Sequence, residues 1–250
     1  MSVPHSGTEF PVELQPHYCP ELAAQPDDTD WFVHDLYSFT SDLGITTIHA
    51  RYSRWVIDLN RDSENKALYN DGRIITGLTP STDFFGNEIY SDGKFVPDGE
   101  ETERRLEIYY QPYYRKIESL LNERVDEFGQ ALLWDAHSIR RFVPTINPEP
   151  FPDLILGDND EKSADKEIID IALNGLKSSK YQVNHNLPFK GGQITRFFGR
   201  PEMKIHALQL EMAKTLYMDD DELNFNEQRA NRIRKVLRPV FENLIAYLTK

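Results

Sequence analysis

The chain has 250 residues, 39% of them apolar and 12% aromatic, which excludes a disordered or fibrous chain and leaves room for one large α/β domain or two small ones. Its 41 acidic and 28 basic side chains give a net charge of −13, a surface that repels phosphate backbones and excludes nucleic acid as an expected partner. One cysteine, Cys19, rules out an internal disulfide or a Cys-based zinc cluster, no apolar run reaches the ~18 residues of a membrane span, and the first residues lack a signal-peptide pattern, so a cytoplasmic protein is expected.

Residues 1–29 are Pro-rich and irregular. From Thr29 or Asp30 onward, Phe32, Val33, Leu36, Tyr37 and Leu43 fall at helical spacing, with Gly44 as the stop. Residues 45–50 and 54–58 are predicted strands. The polar, turn-rich stretch 62–100 reads as an excursion over the surface and a candidate cover for a pocket. A helix is predicted over 101–128, ending at Gly129 and kinked or divided at Pro112. A strand over 130–135, a Pro-rich loop, a short strand over 154–157 and an amphipathic helix over 162–177 follow. Residues 181–184 look extended and lead to the Gly-rich segment 189–196. A strand over 206–211 and a helix over 226–248 close the chain. Strands alternating with helices predict a single α/β domain over residues 1–250.

Three of these strands end in polar chemistry. Asp135-Ala136-His137-Ser138 lies at the carboxyl end of one, where open α/β sheets place their ligands. Trp55-Val56-Ile57 runs into Asp58-Leu59-Asn60-Arg61, and Ala207–Leu210 runs into Glu211. A histidine, a carboxylate and an Asn-Arg pair on one rim suit a metal-dependent amide hydrolase. Such sites need about three His or carboxylate ligands, an open position for water and a nearby base.

Of the seven histidines, His5, in the small-residue turn Pro-His-Ser-Gly-Thr, and His137 stand out by context. His34, His49 and His206 fall inside regular elements and read as core or surface residues, while His17 and His185 sit in loops without distinguishing context. No His-Glu-x-x-His pair exists. Asp27 and Asp28 read as helix-capping residues; Asp30, beside Trp31, is a candidate third ligand. Arg54, Asn60 and Arg61 point to recognition of a planar carboxylate, with a structural salt bridge to Asp58 as the competing account. Arg196, after Gly191-Gly192, is a second anion-binding candidate, although a Gly-Gly pair equally makes a hairpin turn. Glu211, between Leu210 and Met212, either faces a polar cavity as a base of raised pKa or forms a structural pair with an arginine.

Taken together, Pro-His-Ser-Gly-Thr at 4–8, Asp-Thr-Asp-Trp at 28–31, Ser-Arg-Trp-Val-Ile-Asp-Leu-Asn-Arg at 53–61, Leu-Tyr at 68–69, Thr-Gly-Leu at 76–78 and Pro-Tyr at 112–113 resemble the N-formylglutamate amidohydrolase family. Leu-Trp-Asp-Ala-His-Ser-Ile-Arg at 133–140, Phe-Lys-Gly-Gly-Gln-Ile-Thr-Arg at 189–196 and Gln-Leu-Glu-Met-Ala-Lys-Thr-Leu-Tyr-Met at 209–218 extend that resemblance in the family's order. A more distant likeness is to zinc carboxypeptidases and aspartoacylases.

The resemblance implies a three-layer sandwich with a mixed sheet, of the zinc-carboxypeptidase-like type. It further implies hydrolysis of N-formyl-L-glutamate to formate and L-glutamate, the last step of a histidine degradation route. Zinc or another divalent ion would be held by His5, His137 and Asp30. Asp30 replaces the glutamate that relatives carry three residues after the first histidine, where this chain has Thr8, with Glu9 and Asp28 as lesser options. Glu211 is then the general base, Arg54 polarises the scissile carbonyl, and Asn60 with Arg61 grips one carboxylate. Arg196 or Arg140 would hold the other. Family members also carry a β-strand before the first histidine, and only four residues precede His5 here. Another N-acyl amino acid or short peptide as substrate, or a catalytically degenerate binding protein of the same fold, are the alternatives. The expected partner is a small molecule, and the oligomeric state stays open.

Overall fold

The nine-residue runs Ala131–Ile139 and Ile205–Ala213 are buried along nearly their whole length, so strands there need cover on both faces. The computed structural model describes residues 1–68, 76–91 and 95–250. In chain order its elements are β1 (Ser2–Val3), α1 (Pro20–Ala23), α2 (Val33–Leu36), a 3₁₀ turn (Ser38–Leu43), β2 (Ile48–His49), α3 (Gly99–Arg105), a π-helical turn (Leu106–Tyr110) and α4 (Gln111–Phe128). Then come β3 (Ala131–Ile139), β4 (Leu154–Gly157), α5 (Lys166–Lys177), β5 (Val183–His185), α6 (Gln193–Phe198), β6 (Ile205–Ala213) and α7 (Glu227–Leu248).

The strands form one six-stranded mixed sheet in the order β2-β1-β3-β6-β4-β5. Its pairs are parallel except β4 against β6. Side chains alternate between the two faces. Trp134, Ala136, Leu208, Leu210 and Met212 pack with Ile168, Ile169, Ala172 and Leu176 of α5 and Ile233, Leu237, Val240 and Phe241 of α7. Ala131, Leu133, Ile205 and Ala207 pack with Ile117 and Leu121 of α4 and Ile194 and Phe198 of α6. The expected three layers are therefore present. On the second face the alternation continues past the apolar residues into Asp135 and His137 on β3, and Gln209 and Glu211 on β6. Register pairs His137 with Glu211 and Asp135 with Gln209. Asn226 caps α7 by accepting the Arg229 N–H at 3.0 Å, a contact worth about 1 kcal/mol.

Several expectations are corrected. Residues 54–58 form no strand; the segment runs through successive turns. Its buried Trp-Val-Ile reads like a strand because burial alone does not distinguish a sheet from a buried loop. Two of its carbonyls are satisfied by side chains instead: Tyr18 Oη donates to Trp55 O at 3.0 Å and Arg105 Nη1 to Val56 O at 2.8 Å. The helix expected from residue 30 is divided into α2 and the 3₁₀ turn, and begins only after Phe32, which sits at φ 61°, although Gly44 ends it in the left-handed region as expected.

β3 extends to Ile139, so His137 stands inside the strand and not beyond it. α5 starts at Lys166, because Asp158 organises residues 158–163 as a turn, accepting from Glu161 N at 2.8 Å. The long helix is continuous across Pro112 through the π turn, and Gly129 ends it at φ 78°. The 62–100 stretch is not wholly superficial: Leu78, Ile89 and Tyr90 are buried. Tyr69 lies outside the described residues. The strand that precedes the first histidine is present as β1, inserted between β2 and β3. Among the described residues, no helix is long and apolar enough to cross a membrane.

Candidate active site

Three segments deliver one cluster. His5 follows β1, Asp30 precedes α2, and His137 sits on β3. The Asp30 N–H donates to His5 O at 2.9 Å, so the backbone itself ties the first two together. One donor atom from each residue lies within 4.8 Å of the others, and all three residues are buried. His137 Nδ1 is 3.1 Å from Asp30 Oδ2, and His5 Nδ1 is 3.8 Å from the same oxygen.

The outer ring nitrogens are engaged elsewhere. His5 Nε2 is 2.7 Å from Asp58 Oδ1, and His137 Nε2 is 3.0 Å from Asn60 Nδ2. Asp135 Oδ2 also stands 3.0 Å from His137 Nε2, as a charge neighbour without hydrogen-bond alignment. Ser138 Oγ donates to Asp30 Oδ1 at 3.4 Å, and Tyr217 Oη lies 2.8 Å from Ser138 Oγ. That leaves Oδ2 as the Asp30 oxygen turned to the histidines. Two imidazole nitrogens and a carboxylate oxygen facing one another, each anchored behind, fit the donor set of a divalent ion.

The electrostatics divide the cluster. Burial, helped by the Arg54 charge, pushes His5 down to about 4. Burial acts the same way on His137, but Asp135 and Asp30 outweigh it and hold that imidazole well above its usual range. Burial would raise Asp30; the His137 contact and the nearby positive charges keep it below the ordinary value. Glu211 is pushed up to about 8, chiefly by burial, with Asp30 and Asp135 adding to it against His137 and Arg54. A carboxyl with that poise is suited to taking and returning a proton near neutral pH.

The polar wall comes from 54–61. Asn60 is held on three sides: its N–H donates to Asp58 Oδ1 at 2.9 Å, its Oδ1 accepts the Ile194 N–H at 2.8 Å, and its Nδ2 reaches His137. A Cβ on Gly192 would overlap the Asn60 amide, so only glycine lets the start of α6 come this close. The Gly191-Gly192 pair is therefore a close-approach device and not a hairpin turn. Arg61 donates to Thr76 O at 2.8 Å and to Thr76 Oγ1 at 3.2 Å. The competing salt-bridge account also holds. Arg54 bonds Asp58 directly, and Arg61 Nη1 lies 3.6 Å from Asp58 Oδ2. Burial would raise Asp58, yet these arginines and His5 keep its carboxyl well below the ordinary value.

His5, Asp30, His137, Glu211, Arg54, Asn60 and Arg61 all line one pocket of about 100 Å³. Leu68, Phe84, Ile139, Ile146 and Phe189 form its apolar side. Arg54 lies over the Phe84 ring at 4.8 Å from the centroid.

Other candidates lie elsewhere. Arg140 pairs with Asp27 and Glu222 and does not line the pocket. Arg196 does not line it either; it donates to Gly191 O at 2.9 Å and to Leu68 O at 3.2 Å, beside two lining residues. Glu9 pairs with Arg51 at the surface, and Asp28 accepts from Trp55 Nε1 at 3.1 Å and Phe84 N at 2.9 Å, so neither joins the histidines. Asp27 and Asp28 cap no helix. Sequence reasoning missed Gln209, whose Oε1 accepts the Gly192 N–H at 2.7 Å and whose Nε2 lies 3.4 Å from Glu211 Oε2. Its position two residues before Glu211, on the same strand face, was the available signal.

Comparison with known proteins places the chain in a family. The model of the N-formylglutamate amidohydrolase family matches residues 1–218. A protein named N-formylglutamate deformylase from Pseudomonas aeruginosa is 40% identical over 250 residues, covering 99% of this chain and 92% of that one. Its namesake from Pseudomonas putida is 38% identical with the same coverage. Among solved structures, an N-formylglutamate amidohydrolase from Ralstonia eutropha JMP134 matches with a TM-score of 0.82 at 25% identity, over 99% of this chain and 92% of that one. A gene product of Agrobacterium tumefaciens, at 18% identity and a TM-score of 0.74, supports the fold alone. On the family match and the near-full-length relatives, the chain belongs to the N-formylglutamate amidohydrolase family.

Proposed function

We propose that this pocket hydrolyses N-formyl-L-glutamate to formate and L-glutamate, with a divalent ion, zinc first, held by His5, Asp30 and His137. The same reading places the reaction in histidine degradation. The observation that carries it is the convergence of those three donors with Glu211, Arg54 and the Asn60–Arg61 pair in one pocket. The names of the relatives support the choice of substrate.

When bound, such an ion supplies Lewis-acid polarisation and a water acidic enough to attack near neutral pH. The chain's own groups do the rest. Glu211 takes a proton from the attacking water and returns it to the amide nitrogen as the C–N bond breaks. Arg54, fixed by Asp58, places positive charge in the pocket for the amide oxygen as it becomes anionic, a contribution of a few kcal/mol in comparable sites. Asn60 and Arg61 hold a glutamate carboxylate, so that the formyl carbon is presented to the cluster. Arg196 is the nearer candidate for the second carboxylate, because Arg140 is engaged by Asp27 and Glu222 away from the pocket.

The test is a product assay on a panel of substrates. N-formyl-L-glutamate is expected to yield formate and glutamate in equal amounts, faster than N-acetyl-L-aspartate or a dipeptide. Preferential cleavage of either of those would overturn the substrate assignment.

A further inference from the structure

One helix runs from Gly99 to Phe128 with a π turn at Leu106–Tyr110 inside it. Gln111 N donates to Leu106 O, the i→i+5 bond of such a turn. Its cause is local. Pro112 has no N–H, and in an unbroken α-helix its ring would meet the carbonyl of residue 108. The wider turn admits one extra residue and lets the helix continue.

The consequence is a change of phase. At 3.6 residues per turn, positions 105 and 109 lie about 40° apart around a helix, and positions 105 and 110 about 140° apart. The extra residue brings 110 close to where 109 would otherwise stand, with 114 one turn later. Arg105, Tyr110 and Tyr114 are accordingly buried, while Tyr109 reaches Glu13 at the surface. All three buried side chains donate to carbonyls of the ladder-free segment that carries the polar wall. Arg105 Nη1 reaches Val56 O at 2.8 Å, Tyr114 Oη reaches Leu59 O at 2.9 Å, and Tyr110 Oη reaches Arg61 O at 2.8 Å. The two tyrosine contacts flank Asn60 on either side. The rings are themselves stacked, with centroids 4.2 Å apart.

We propose that Tyr110 and Tyr114 are positioning residues for substrate carboxylate binding, and that the π turn at Leu106–Tyr110, just ahead of Pro112, brings their hydroxyls into register with the carbonyls around Asn60. The inference rests on the reading of Asn60 and Arg61 as the carboxylate grip.

Tyr110→Phe, Tyr114→Phe and the double variant remove the donors and keep the rings. Tyr113→Phe is the control, since its hydroxyl contacts Ser2 and Ile48 instead. KM for N-formyl-L-glutamate and Kd for L-glutamate are expected to rise roughly three- to tenfold per hydroxyl removed. Over the same variants kcat stays within about twofold, metal content is unchanged, and the control behaves as wild type. Amide hydrogen exchange at residues 59–61 accelerates in the double variant. A lower kcat and melting temperature at constant KM would mark a merely structural role and overturn the proposal. A wild-type protein that releases no formate defeats the functional reading and not this one: the exchange measurement still decides the clamp, and unchanged protection at 59–61 in the double variant sinks it.

Discussion

The two walls of the pocket are built on different principles. His137 and Glu211 stand on adjacent strands in direct register, inside a parallel ladder nine residue pairs long. Their separation is set by backbone hydrogen bonds and cannot drift without breaking the sheet. Arg54, Asn60 and Arg61 stand on a segment with no ladder, whose carbonyls are held by side chains of Tyr18, Arg105, Tyr110 and Tyr114. The difference is instructive. On the proposed reading, a metal ligand and the base sit where the backbone fixes them, and the groups that would meet substrate sit where individual side chains do. Damage to the first wall is expected to appear in kcat, and loss of the Asn60–Arg61 grip on the second in KM.

Substitutions can break or sharpen that division. The largest effect is expected from Glu211→Gln, which leaves the ladder intact and removes the base. Initial rates should show kcat lower by roughly 10²- to 10⁴-fold with metal content retained. The same variant has a pH signature in metal-free protein. The folded-state pKa of Glu211 is about 8 against an ordinary value of 4.5. Its contribution to stability is therefore fully present below about 4.5, declines as the unfolded chain ionises, and is gone above about 8. Denaturant titrations across that range should show wild type losing stability with rising pH relative to Glu211→Gln. Parallel curves would contradict the assigned poise.

On the other wall, Arg61→Ala removes a charged donor and is expected to raise KM roughly ten- to hundredfold with a much smaller change in kcat. An equal fall in kcat would erase the contrast between the walls. Gly192→Ala drives a methyl into the Asn60 amide, so a loss of about 1–3 kcal/mol in stability is expected, accompanied by a higher KM. The smallest effect is expected from Asn226→Ala at the start of α7. Loss of that cap should cost about 1 kcal/mol in a denaturation midpoint and leave both kinetic constants alone.

Much of this was legible in the sequence. The α/β alternation, β4, the long helix to Gly129 and the closing helix could be read from apolar spacing and stop signals. His5, His137, Asn60, Arg61 and Glu211 stood at the ends of buried runs or in small-residue turns, where polar groups have a reason to be. Asp30 was harder, because Asp27 and Asp28 offer the same local pattern; only the fold shows that Asp27 faces Arg140, Asp28 holds Trp55, and Asp30 meets the histidines. The segment 54–58 was misread because Trp-Val-Ile buries equally well in a strand or a turn. Tyr110 and Tyr114 were invisible for a different reason. Their partners Arg61 and Leu59 are distant in sequence, and no local pattern encodes a hydrogen bond across that gap.

Formate release from N-formyl-L-glutamate by protein stripped of metal, then reloaded with one equivalent of zinc, tests the central claim most directly. Hydrolysis should vanish on stripping and return on reloading in wild type, and fail to return in a His137→Ala variant. Undiminished hydrolysis by wild-type protein from which elemental analysis finds no metal would contradict it.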